Sequence, residues 1–143
     1  MARVLRAALG AISITVALVA CTGDDSPATA AAERRQVLSQ RFPEIVGAIF
    51  DPIGDTTWSI RVTISSPYDT EERYADAWRV LTVDGNVLGT RELTHDHATE
   101  QPFTRALNNV EIPAGSESVL IEARDLINGW SDETVEFELP QKD

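Results

Sequence analysis

Residues 74–105 read YADAWRVLTVDGNVLGTRELTHDHATEQPFTR, and this stretch decides the fold. Its first part alternates, with Tyr74, Asp76, Trp78 and Val80 on one face of an extended chain and Ala75, Ala77, Arg79 and Leu81 on the other. Asp84-Gly85-Asn86 then calls for a hairpin, because glycine and asparagine accept the positive φ that tight turns demand. Val87 to Leu93 returns as the partner strand. A polar segment follows with both histidines of the protein, His95 and His97, and Phe103 opens another strand.

The same period recurs on both sides. Upstream, Trp58, Ile60, Val62 and Ile64 alternate with Ser59, Arg61, Thr63 and Ser65, the sharpest half-buried pattern in the chain. Ile45 to Phe50 is an apolar run closed by Asp51-Pro52 and Gly54-Asp55. Phe42, Ile45, Val46 and Ile49 also have helical spacing, which Pro43 and Gly47 oppose. Downstream come Phe103 to Val110, then Val119, Ile121 and Ala123 against Leu120, Glu122 and Arg124. Last, Val135, Phe137 and Leu139 alternate with Glu136 and Glu138. Turns at Pro113-Ala114-Gly115 and Asn128-Gly129 separate these runs.

About seven short strands with no helix between them predict an all-β domain over residues 43–143, an antiparallel β-sandwich. Residues 110–131, VEIPAGSESVLIEARDLINGWS, resemble the late strands of fibronectin type III domains. The resemblance implies a fibronectin type III-like or immunoglobulin-like sandwich, with Val119 standing where that family usually has a tyrosine. YAD-W-V, LGTR-L-H-H and EQPFTR resemble a group of small uncharacterised bacterial proteins over about residues 58–139, which implies a shared fold and no particular activity.

Ahead of the domain, Arg3 and Arg6 precede an apolar run from Ala7 to Ala20 that is short and diluted by Gly10, Ser13 and Thr15. Residues 1–20 therefore read as a secretory signal rather than a membrane span. Leu18-Val19-Ala20-Cys21 resembles the lipobox of bacterial lipoproteins. That resemblance implies cleavage before Cys21, diacylglycerol on its thiol, acylation of the new amino terminus, and a protein anchored by lipid outside the cytoplasm. The plainer reading is an ordinary cleaved signal with an incidental cysteine. Cys21 is the only cysteine, so an acylated chain has no disulfide and no thiol chemistry.

Residues 21–42 form the tether. TGDDSPATAAA is a small, polar, alanine-rich spacer, in which Ser26-Pro27 can cap and start a helix. Val37, Leu38 and Phe42 give that helix a narrow apolar stripe, and Pro43 stops it. The segment docks on the domain or remains a partly helical spacer; both readings stand.

The full chain carries 12 Lys+Arg against 23 Asp+Glu, a net charge of −11 that becomes −13 once Arg3 and Arg6 are removed with the signal. That charge disfavours nucleic acid and anionic headgroups and suits cations or basic proteins. Solubility alone also explains it.

Chemistry concentrates in His95-Asp96-His97, with Glu100 three residues on. On an extended segment the two imidazoles point to one side and can share an ion, Cu or Zn by ligand type, with Glu100 and either Asp76 or Asp125 completing the set. The alternative is a polar loop whose histidines hydrogen-bond backbone. Arg105 has the fork to bind a carboxylate ligand or to pin the loop through Glu100. Trp58, Trp78, Trp130 and Tyr74 offer either core or an aromatic face, Trp130 being the most exposed by position. No G-x-S-x-G, no phosphate-binding glycine loop and no free thiol suggests an enzyme. The sequence thus favours a lipid-anchored, non-catalytic binding module without a cofactor, serving a partner in the cell envelope. The alternative is an extracytoplasmic Cu- or Zn-binding lipoprotein.

Overall fold

The structure is a computed structural model that describes residues 26–141; residues 1–20, read above as a signal, and Cys21 lie outside the described residues. One helix, α1 (Pro27–Ser39), precedes eight strands: β1 (Glu44–Pro52), β2 (Thr57–Ser65), β3 (Ala75–Leu81), β4 (Val87–Glu92), β5 (Phe103–Glu111), β6 (Ser118–Asp125), β7 (Gly129–Trp130) and β8 (Val135–Glu138). Two antiparallel sheets form a β-sandwich. One sheet has the order β1-β2-β5, and the other runs β4-β3-β6 with β7 and β8 both on the far side of β6.

The alternation of β2 is realised in full: Trp58, Ile60, Val62 and Ile64 are buried, while Arg61 is exposed. They meet Trp78 and Val80 of β3 and Val119, Ile121 and Ala123 of β6, with Phe50, Phe103, Val110 and Leu139 closing the core. Each such side chain contributes roughly 1.5–3 kcal/mol by leaving water. Asn128-Gly129 makes the expected turn, with φ of 81° at Gly129. At the other hairpin, Gly85 adopts φ of 87° and donates to the Thr82 carbonyl at 2.9 Å.

Three details depart from the sequence reading. Register shifts between Ala75 and Ala77, and the bulge rotates Asp76 off the face of Trp78 and Val80 and onto that of Arg124. A second bulge sets Asn108 and Asn109 of β5 against Ser59, with φ of 58° at Asn109, a conformation asparagine tolerates. The last edge is split: β7 pairs at Arg124 and Asp125, β8 at Ser118 to Ile121, so one expected strand is two.

The tether is helical as far as Ser39, ending short of Pro43. Ser26 makes no side-chain cap, no residue of α1 is buried, and Leu38 is 74% exposed. Of the apolar stripe, Leu38 is exposed while Val37 and Phe42 are half-buried and line a groove against the strand ends. The helix stops because the sandwich takes up the next backbone: Arg73 Nη2 donates to the carbonyls of Gln40 and Arg41, both at 2.9 Å, and Gln40 Nε2 donates to Ser65 O at 3.0 Å.

The sheets approach closely where Gly89 of β4 faces Leu107 of β5. A Cβ on Gly89 would stand 3.0 Å from Leu107 Cδ2. Gly89→Val is expected to lower stability by about 1–3 kcal/mol through overpacking, measured by urea unfolding.

Candidate functional site

Antiparallel pairing brings the start of β3, the end of β6 and the end of β2 to one end of the sandwich, where the tether enters. The loops 66–74 and 93–102 meet there. Asp69 is their joint: its Oδ1 accepts from Ala75 N at 3.1 Å and its Oδ2 from His97 N at 3.0 Å. Gln101 ties the same loops again, its Oε1 accepting from Ser66 N at 2.7 Å and its Nε2 donating to His97 O at 3.1 Å. Burial raises the Asp69 carboxyl, and the donors from His97, Ser66 and Ala75 pull the other way.

His97 is thus held by its backbone, while its side chain behaves otherwise. The ring is 3% exposed, stacks on Phe103 with centroids 3.9 Å apart at 10°, and leaves both Nδ1 and Nε2 buried without a hydrogen-bond partner. The expectation that these histidines steady the loop by bonding backbone fails for the His97 imidazole. The His95 ring lies 4.7 Å away, tilted by 30°, on an exposed residue. Burial first, then the charges of Arg105 and His95, lowers the His97 pKa.

Glu100, the expected third ligand, is engaged elsewhere. Arg105 Nη2 donates to both its oxygens, at 3.0 and 2.8 Å, so Arg105 pins the loop. Asp76 and Asp125 do not join either. Asp76 accepts from Arg124 Nε at 2.8 Å. Asp125, fully buried, accepts from Arg73 Nε at 3.0 Å and, through Oδ1, from Ile127 N, Asn128 N and Asn128 Nδ2. Burial would raise the Asp125 carboxyl, but these donors and the Arg73 charge outweigh it and leave its pKa lowered. Among the described residues no group of three or more His, Cys, Asp or Glu stands where it could hold a metal ion.

The tryptophans separate. Trp58 and Trp78 are core. Trp130, on β7, is half-buried under two guanidinium groups, Arg79 at 4.0 Å and Arg124 at 5.1 Å from its ring centroid. Arg79 pairs with Glu122, and Arg124 with Asp76 and Glu92, so the outer face of the larger sheet is a ladder of alternating charge around one indole. Trp130 and Arg105 sit on different sheets and do not form one binding face. The ladder went unread in the sequence, although Arg79, Glu122 and Arg124 all fall on outward positions; their pairing depends on cross-strand register.

A groove of ≈ 850 Å³ opens between the last turn of α1 and the strand ends, lined by Phe42, Ser65 and Pro67 with the acids Glu33, Glu44 and Glu133.

These features define an open antiparallel β-sandwich preceded by one helix. No family model matches the chain, and no solved structure matches it. The chain is similar to a protein of Halomicrobium mukohataei named "Putative lipoprotein", with 33% identity over 108 residues. The match takes in 76% of this chain and 53% of that relative, so the chain spans about half the length of the curated relative it matches.

Proposed function

We propose that this protein is an extracytoplasmic lipoprotein, anchored through acylated Cys21, whose sandwich acts as a non-catalytic interaction module in the cell envelope. The observation that carries the reading is the placement of Cys21 directly after Leu18-Val19-Ala20 and a few residues before a helix that buries none of its side chains. Such a helix is a spacer, rising about 1.5 Å per residue. The name of the Halomicrobium relative supports the same class. Two or more acyl chains hold a protein stably where one does not, since each buried methylene contributes about 0.8 kcal/mol. The net charge of −13 after removal of residues 1–20 and the acidic rim of the groove beside α1 suit a basic partner.

Metabolic labelling with an alkyne fatty acid tests the anchor. The wild-type chain is expected to take up label and the Cys21→Ser variant none. Equal labelling of both, or labelling of neither, would refute the reading.

A further inference from the structure

We propose that His97 and His95 form a two-imidazole site for one late transition-metal dication, Cu(II) in preference to Zn(II), with water filling the remaining positions. The proposal stands apart from the lipid anchor and rests on the side chains of residues 93–105.

His97 is the anomaly of the domain. A buried imidazole ordinarily has both nitrogens satisfied, because a buried donor or acceptor without a partner is unfavourable. Here neither nitrogen has one, although the backbone of the same residue is held by two hydrogen bonds, His97 N donating to Asp69 Oδ2 and Gln101 Nε2 donating to His97 O. The loop thus fixes the position of the ring, and its two nitrogens stay buried and without a hydrogen-bond partner. A neutral imidazole offers one lone pair, the form that binds a metal.

The reach is sufficient. A metal–nitrogen bond of about 2.0–2.1 Å puts each ring centroid about 3.2 Å from the ion, so two rings can share an ion at centroid separations up to about 6.4 Å. The His95 and His97 centroids are 4.7 Å apart. His95 is exposed and can turn towards an incoming ion without moving the backbone, while the Phe103 stack holds His97 in place. The nearby cation, Arg105, has its charge offset by the two contacts it makes with Glu100. Imidazole suits Cu(II) and Zn(II), and the general affinity order places Cu(II) first.

The test is titration of the full-length, chelator-treated protein, without a histidine tag, with Cu(II) and separately with Zn(II). The expected result is one equivalent of Cu(II), bound more tightly than Zn(II), with a loss of affinity of about tenfold or more in His95→Ala. Because His95 is exposed, this variant should keep the wild-type melting temperature in the absence of metal. A second variant, His97→Phe, removes both unpartnered nitrogens but keeps a ring against Phe103. It is expected to lose the metal while melting no lower than wild type. Failure of the wild-type chain to bind, or unchanged binding in His95→Ala, would overturn the proposal. So would unchanged binding in a folded His97→Phe protein.

Discussion

Trp78→Ala is expected to lower the unfolding free energy by about 3–5 kcal/mol. Trp78 is completely buried on β3, the central strand beside β6, and packs with the core residues of both sheets. Removing its ring leaves a cavity that neighbours held in two hydrogen-bonded ladders cannot collapse to fill. Against a total of roughly 5–15 kcal/mol for a domain, that is a large share. Trp130→Ala provides the contrast. Its ring is half-buried and held by Arg79 and Arg124, and contacts of that kind contribute about 0.5–1 kcal/mol each at exposed sites. Urea unfolding of the two variants should therefore show a loss for Trp78→Ala about 1.5 to 5 times that for Trp130→Ala. Equal losses would mean that the core is not centred on β3.

Asp125→Ala is the second large effect, about 3 kcal/mol, the low end for breaking a buried pair because Arg73 keeps 29% of its side chain in water. The variant leaves Arg73 without its carboxylate and frees the Asn128 turn, while the Gln40 and Arg41 carbonyls remain as partners. The pH dependence has a definite sign. Asp125 has a folded pKa below its ordinary value, so it adds stability fully above the unfolded pKa of about 3.9. That contribution disappears as pH falls through the folded value. Stability of the wild type should thus fall more steeply than that of Asp125→Ala below about pH 4, followed by denaturant midpoint against pH. Parallel curves would exclude this carboxylate as the anchor of the loop end.

Much of the sandwich was legible because period-2 burial is a local property. Trp58 to Ile64 carry it without interruption, Val119, Ile121 and Ala123 carry it although Glu122 between them is buried too, and Gly85 and Gly129 mark the turns where positive φ is needed. Asp76 was misplaced because a bulge is set by the partner strand, and nothing in YADAW announces that Ala75 and Ala77 pair with successive residues of β6. Asp125 was read as a spare ligand for the same reason: Arg73, its main partner, lies 52 residues earlier and meets it only once β3 and β6 pair. Residues 95–105 were singled out as two overlapping candidates, and how their contacts divide was not visible. Glu100 belongs to Arg105, the His97 backbone belongs to Asp69, and the His97 ring belongs to Phe103. Charge and side-chain type suggested a ligand set; the contacts depend on how two loops fold against each other.

The most direct test of the account is the mass of the N-terminal peptide of the protein isolated from cell membranes. The account predicts a peptide that begins at Cys21 and carries the mass of a diacylglycerol thioether, with or without a further acyl group on its amine. A peptide with Cys21 as a free thiol, or one that begins elsewhere and carries no lipid, would contradict it.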